Sequence, residues 1–248
     1  MTALIFDVDG TLAETERDGH RIAFNRAFDE AGLNWHWPKS FYGNLLSISG
    51  GKERLQYYMK HYCSQKVLPN DRDRFVQALH QAKNKHYQQI LQEGKIPLRL
   101  GVKRLLNAAK AAEIPLAIAT TSSLENTNAL LETHLDTSYF DLIAAGDIVP
   151  NKKPAPDIYH YVLEKLNLST EDCLVFEDSQ AGLTAATKAG LKTVITFSEY
   201  TAKQDFSSAV LVLNHLGEPD RPFTVYRKIR DVTQPYFDLS LAETLLNL

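Results

Sequence analysis

The chain has 248 residues, 44% of them hydrophobic, with 30 acidic and 27 basic side chains and a formal net charge of -3. That length and apolar content suffice for a sizeable core in one large or two modest domains, and they argue against a disordered chain. Both charge signs are spread along the sequence without a basic block, so neither a nucleic-acid partner nor an anionic membrane surface is expected.

The first predicted strand, Leu4 to Val8, begins almost at once. No charged segment with a long apolar stretch and cleavage site precedes it, and no later run is apolar enough to span a bilayer. A cytoplasmic protein without a membrane partner is expected, or a plastid stromal one if a transit peptide has been removed. The strand runs into Asp7-Val8-Asp9-Gly10-Thr11, and strand alternation would point Asp7 and Asp9 to the same side. Two such carboxylates repel unless a cation joins them. A hard divalent ion, Mg²⁺ being the usual partner of phosphate chemistry, would resolve the repulsion and leave one carboxylate free to attack. Asp-x-Asp-Gly is also an ordinary turn, and it opens calcium loops too. The calcium loop fails: it needs Gly at its sixth position and Glu at its twelfth, where this chain has Leu12 and Asp18.

About a hundred residues without a convincing strand follow, too many for a simple crossover. Segments 16–31, 51–62 and 70–93 are rich in helix formers and predict a helical cap domain, 15–94, inserted into a core domain made of 1–14 and 95–248. Both crossings lie near the strand end that carries the acids, so the insert is expected to form a lid above the ligand crevice of an open α/β sheet. Within it, Glu14 and Thr15 lead into Glu16-Arg17-Asp18-Gly19-His20-Arg21. His20 reads as a helix-surface histidine or as a site residue able to titrate near neutrality. Ser49-Gly50-Gly51-Lys52-Glu53-Arg54 offers backbone and cationic contacts to a second anion, or simply a loop followed by a solvated helix.

Strands are predicted at Leu116 to Thr120, Leu142 to Ala145, Cys173 to Glu177, Thr193 to Phe197 and Val210 to Leu213. Helical faces such as Ile158, Tyr161, Val162 and Leu166 alternate with them, which predicts a doubly wound α/β fold with a parallel sheet. Three strand ends carry polar groups. Thr120-Thr121-Ser122-Ser123 could receive phosphate oxygens or merely cap a helix. Lys153, before Pro154, could neutralise a transferring phosphoryl group, although a surface pair with Lys152 is the plainer reading. Glu177 and Asp178 put two more acids beside the same crevice, where Asp178 could complete a metal shell, or Asp178 could be an N-cap. Cys63 and Cys173 lack metal-ligand or disulfide spacing and are expected to be buried, reduced thiols. The tail after Gly217 is rich in Pro, Phe and Tyr, and its helix, Leu239 to Leu246, is expected on the core, with a partner interface as the alternative.

The order acid pair, hydroxyl, lysine, acid pair resembles the haloacid dehalogenase superfamily through nearly the whole chain. The resemblance implies a Rossmann-like core with an α-helical cap. It makes Asp7 the nucleophile, Asp9 the general acid and base, and Thr120 and Lys153 the phosphate holders, with Thr121 and Ser122 beside them. Asp7, Asp9 and Asp178 would ligate Mg²⁺, Asp9 through its backbone carbonyl. A halide leaves without a proton whereas an alkoxide needs one, so Asp9 argues for phosphate esters and a phosphoaspartate intermediate. The cap residues, Trp35, Trp37, Thr120-Thr121-Ser122, Ala144-Ala145-Gly146-Asp147 and Lys153 to Tyr159 resemble CbbY-type xylulose-1,5-bisphosphate phosphatases. That family removes the 1-phosphate from a misfire product that inhibits Rubisco in the Calvin cycle. The resemblance implies a second anion site at Gly51, Lys52 and Arg54, and Glu14 facing sugar hydroxyls. It also implies a small phosphorylated sugar as partner, and a monomer is expected. A β-phosphoglucomutase-like mutase, a phosphoglycolate phosphatase and a noncatalytic sugar-phosphate-binding relative are the alternatives. The last should have lost Asp7 or Asp9, and both are present.

Overall fold

The computed structural model describes residues 3–48, 50–64, 69–228 and 231–248. The chain forms two compact units, Met1–Glu14 with Pro97–Leu248, and Thr15–Ile96. In chain order, β1 is Ala3–Phe6, α1 Arg21–Glu30, α2 Lys39–Leu45, α3 Gly51–Tyr62, α4 Arg72–Gln92 and α5 Val102–Ala111. Then come β2 Leu116–Thr120, α6 Leu124–His134, β3 Leu142–Ala145, α7 Asp157–Leu166, β4 Cys173–Glu177 and α8 Gln180–Lys188. β5 Lys192–Thr196, β6 Leu211–Leu213, β7 Val225–Lys228 and α9 Leu239–Leu246 complete the list. Among the described residues no helix is long and apolar enough to cross a membrane.

The first unit is the α/β fold the sequence predicts. Its sheet has the order β3-β2-β1-β4-β5-β6-β7, parallel throughout except where β7 runs against β6. After β3 the chain crosses to the other side of β1, and at such a switch point the strand C-termini open a crevice. Register fixes which ends meet there: Phe6 pairs with Ile118 of β2 and Phe176 of β4. Strands β1, β2 and β4 are buried along their whole length, as strands covered on both faces must be. Ala117 and Ala119 keep one face shallow, so the larger side chains of α7, Ile158, Tyr159 and Val162, close onto it. Each such side chain contributes about 1.5–3 kcal/mol by leaving water.

The second unit is helical. A π-helical turn, Glu16–His20, leads directly into α1, and α1 packs along the 21-residue α4. Gly19 makes the close approach possible, because a Cβ there would stand 2.6 Å from Ile96 Cδ1 and 2.7 Å from Tyr87 Cε2. Phe24, Phe28, Trp37 and Tyr42 fill the interior. Asn25 ties the Trp37 backbone to α1 with bonds of 2.8 and 3.1 Å.

Some boundaries differ from the sequence reading. β1 ends at Phe6 rather than Val8, since the chain begins to turn at Asp7. β5 starts at Lys192 and stops at Thr196, and β6 starts at Leu211. The helix expected over 16–31 opens with the π turn, and the short α2 was not anticipated. β7 escapes sequence pattern because it is a largely exposed edge strand without apolar alternation. Cys173 is buried, but Cys63 is half-buried, and neither forms a disulfide. The tail packs on the core as expected: Phe237 is fully buried and meets Phe176 edge-on at 5.1 Å. Arg104 of α5 anchors it through the Phe237 and Gly217 carbonyls, at 2.9 and 2.8 Å.

Candidate active site

β1 delivers Asp7 to the crevice. The Asp7 N–H donates to the Phe176 carbonyl at 3.0 Å, and then the amides of Thr11, Leu12 and Ala13 converge on the Val8 carbonyl at 3.2, 2.9 and 3.3 Å. This turn ends strand alternation. Asp7 Oδ1 accepts from Lys153 Nζ at 2.8 Å, and Asp9 Oδ2 accepts from the Ser122 hydroxyl. Gly10 has φ +85°, and a Cβ on it would lie 2.1 Å from Asp178 Oδ2. Only glycine lets the turn rest there.

The β3–α7 loop supplies Lys153. Its ammonium, with a side-chain exposure of 6%, donates to Asp7, to Glu177 Oε1 and to the Ala119 carbonyl at 2.7 Å. Lys153 is thus an interior residue, not half of a surface pair. Lys152 is the surface partner, bonded to Asp147 at 2.8 Å. Glu177 also accepts from the buried Tyr159 hydroxyl at 2.8 Å. α8 carries Gly182 against this carboxylate, where a Cβ would fall 1.9 Å from Glu177 Cδ.

Asp7, Glu177 and Asp178 are buried together, with carboxylate oxygens within 4.8 Å of one another. Burial raises the Asp7 carboxyl to about 7, Lys153 opposing and Glu177 and Asp9 adding. Asp178 is pushed well above the usual carboxylate range by burial, then by Asp7 and Glu177. Burial works against the charge on Lys153, yet Asp7 and Glu177 hold its pKa well above the lysine range. Three carboxylates against one ammonium leave an excess of negative charge, which a divalent cation with hard oxygen donors removes. The residues present fit Mg²⁺.

The capping alternatives are settled by neighbours. Ser123 caps α6 by accepting from Asn126 N at 3.3 Å, and Ser179 caps α8 by accepting from Gly182 N at 3.1 Å. Asp178 and the Thr120 to Ser122 run stand beside the caps rather than in them. Thr120 is fully buried, its Oγ1 accepting from Ser122 N at 3.2 Å, while Thr121 is exposed. Glu14, in the same unit, pairs with Arg99 Nε at 3.1 Å.

The candidates in the inserted unit divide. His20 is interior, not on a helix surface: its ring stacks on Tyr87 at 3.8 Å and its Nδ1 meets Lys83 Nζ at 3.0 Å. Burial, then Lys83, Arg54 and His80, hold its pKa well below the usual value, so the expectation that it titrates near neutrality is corrected. Arg54 is also interior, donating to the Tyr42 hydroxyl at 2.8 Å and to the Leu45 and Ile48 carbonyls at 3.2 and 3.3 Å, with Glu16 at 3.9 Å. Its guanidinium is part of the unit's framework. Lys52 is exposed at the start of α3. Gly51 lets α3 approach α4, since a Cβ there would sit 2.7 Å from His80 Nε2. Ser49 lies outside the described residues. Sequence reasoning did not assign Glu177, Tyr159, Lys83 or Arg99. Glu177 was visible as a strand-end acid, but a lone lysine or arginine in a polar segment carries no signal of burial.

A family model described as haloacid dehalogenase-like hydrolase matches residues 4–196. The chain belongs to this family. Its haloacid dehalogenase-like sequence is 46% identical over 225 residues to protein CbbY of Cupriavidus necator, covering 90% of this chain and 88% of that one. It is also 46% identical over 212 residues to protein CbbY of Rhodobacter capsulatus, covering 84% and 91%. Crystal structures of CbbY from Rhodobacter sphaeroides, one with phosphate and one of a mutant with xylulose 1,5-bisphosphate, superpose with a TM-score of 0.76 at 41% identity. They cover 87% of this chain and 94% of theirs. As a member of this family, the chain is a hydrolase.

Two predictions follow from the geometry. Gly182→Ala forces Glu177 off Lys153 and lowers kcat by at least about tenfold, with a destabilisation of about 1–3 kcal/mol from overpacking in urea unfolding. His20 and His80, the latter lowered from 6.5 to about 4 by burial, Lys83 and Lys52, resist protonation in the folded unit. The unfolded chain takes up those protons below about pH 6.5, so stability is full above that pH and falls as pH drops toward the folded values. Urea unfolding read by Trp35 and Trp37, the two tryptophans of the chain, should show a lower midpoint at about pH 5 than at about pH 7, and His80→Gln should reduce the difference.

Proposed function

We propose that this chain is a Mg²⁺-dependent sugar-phosphate phosphatase that works through an aspartyl phosphate and acts on xylulose 1,5-bisphosphate, releasing xylulose 5-phosphate. The observation that carries the chemistry is the division of the two aspartates. Asp7 lies against Lys153, and Asp9 is held by the Ser122 hydroxyl. This division supports a reading in which Asp7 attacks and Asp9 transfers protons.

In the first half-reaction an Asp7 oxygen bonds to phosphorus while the bond from phosphorus to the sugar oxygen breaks, and Asp9 gives its proton to the departing alkoxide. In the second, Asp9 takes a proton from water as that water attacks phosphorus. The bond from Asp7 to phosphorus then breaks, which returns the Asp7 carboxylate and releases inorganic phosphate. Lys153 stabilises the charge on the transferring oxygens, and Thr120 with the Thr121 and Ser122 amides orients them. Asp7, Asp178 and the Asp9 carbonyl would hold Mg²⁺, which adds charge stabilisation when bound. Glu177 and Tyr159 keep Lys153 and the acids in place.

The substrate is inferred from kinship and from the inserted unit. The Rhodobacter sphaeroides CbbY structures contain phosphate and xylulose 1,5-bisphosphate. A bisphosphate needs a second cationic contact, and the exposure of Lys52 beside Gly51 at the start of α3 supports it in that role. Removing an inhibitor of Rubisco is the physiological counterpart of this reading.

Phosphate release with Mg²⁺ from xylulose 1,5-bisphosphate, ribulose 1,5-bisphosphate, β-glucose 1-phosphate and phosphoglycolate tests it. The first should be turned over fastest, and equal rates would sink the substrate assignment. Conversion of β-glucose 1-phosphate to its 6-phosphate isomer would mark a mutase instead. Asp7→Asn should abolish turnover with an unchanged circular dichroism spectrum. Lys52→Ala should raise KM for bisphosphates by about tenfold, the value of roughly 1.4 kcal/mol of charge-assisted contact. Equal losses for monophosphates would refute a second anion contact at Lys52.

A further inference from the structure

Arg99 is the third residue after the chain re-enters the α/β unit at Pro97. Nothing in its sequence surroundings marks it, yet its side chain is only 8% exposed and gathers acceptors from three separate segments. One terminal nitrogen donates to the Gly10 carbonyl and to the Thr196 carbonyl, the latter at 2.5 Å. The other donates to the Phe197 and Asn214 carbonyls, each at 2.7 Å. Nε pairs with Glu14 at 3.1 Å, and the Arg99 main-chain N–H donates to the Leu12 carbonyl at 2.7 Å. A guanidinium has five N–H donors in a fixed fork, and here four carbonyls and one carboxylate meet it.

The acceptors fall into two groups. Thr196, Phe197 and Asn214 belong to the ends of β5 and β6, which the sheet ladder holds in place. Gly10, Leu12 and Glu14 belong to the turn that follows Asp7 and Asp9. Within itself that turn is closed through the Val8 carbonyl and the Gly10 to Ala13 bond at 2.8 Å, and Ala13 also bridges to Leu98, the residue before Arg99. Arg99 therefore connects a locally closed turn to the rigid sheet. The carbonyl it grips directly follows Asp9, whose carboxylate must stay on Ser122 to exchange a proton with the leaving group. Asp7 has an independent anchor in Lys153.

We propose that Arg99 is a positioning residue for Asp9: by fixing the Gly10 carbonyl to the ends of β5 and β6, it sets the orientation in which Asp9 meets the leaving-group oxygen. This rests on the phosphatase reading above. Lysine cannot replace it fully, because a compact ammonium with three donors cannot span acceptors laid out for a planar fork.

The test uses Arg99→Met and Arg99→Lys in the full chain, with two measurements. In hydrogen–deuterium exchange, the amides of 10–13 should exchange about tenfold faster in Arg99→Met and to an intermediate degree in Arg99→Lys, with β4 unchanged. In steady-state kinetics, kcat should fall about a hundredfold for a sugar phosphate, whose alkoxide needs the Asp9 proton. It should fall only about tenfold for p-nitrophenyl phosphate, whose leaving group does not, with KM within about twofold for both. Arg99→Lys should recover part of each loss. Unchanged exchange in the turn overturns the proposal whatever the substrate. Faster exchange with equal losses on both substrates overturns the assignment to Asp9 and leaves Arg99 a purely structural tie. A wild-type protein that releases phosphate from neither substrate refutes the phosphatase reading instead, and the exchange measurement still decides whether Arg99 holds the turn. If Arg99→Met does not fold, Arg99→Lys carries both measurements.

Discussion

The buried ammonium of Lys153 holds Asp7 and Glu177 together where water is excluded, and the surrounding architecture serves that contact. A charge so placed persists only if it is paired and hydrogen-bonded, and Lys153 is both, through two carboxylates and the Ala119 carbonyl. The sheet order makes this possible by bringing the ends of β1, β2 and β4 together at the switch point. Adding Asp178 leaves the cluster short of positive charge, and burial together with the neighbouring carboxylates makes Asp7 and Asp178 hold protons more tightly than usual. The same imbalance would suit the cluster to a divalent cation.

Close approach is the second constraint, and glycine enforces it at two points. Gly10 lets the β1 turn lie on Asp178, and Gly182 gives the Glu177 carboxylate room against α8. The shape of the turn also separates the duties of the two aspartates. A continued strand would have sent both carboxylates the same way, whereas convergence on the Val8 carbonyl sends Asp7 to Lys153 and Asp9 to Ser122. Arg99 extends the logic outward, since a planar fork is suited to gathering backbone carbonyls from segments distant in sequence.

The helical unit combines an aromatic interior with buried polar pairs. Lys83 meets His20 and lies near the rings of Phe24 and Tyr87, at 5.4 and 5.0 Å. Arg54 is bonded to Tyr42, which in turn donates to Glu16 at 2.5 Å. Buried polar networks of this kind rigidify a structure when every member is satisfied. Residues that look like surface contacts in the sequence can thus belong to the interior, and Lys52 is the cation of the Gly50 to Arg54 segment that stays exposed.

The sequence by itself determined the α/β class, six of the strands to within two residues at each end, and the identity of the groups at the strand ends. Those features are local: apolar runs that must be buried, turn residues with their own conformational preferences, and acids or hydroxyls placed where each run stops. The same locality explains what was not legible. β7 is an exposed edge with no alternation to read, and the partners of Asp9, Arg54, His20, Lys153 and Arg99 lie in segments separated in the chain. Which carboxylate takes the lysine and which takes the serine was decided by the tertiary structure alone, because that choice depends on the direction of a turn and on what the neighbouring strand ends present to it.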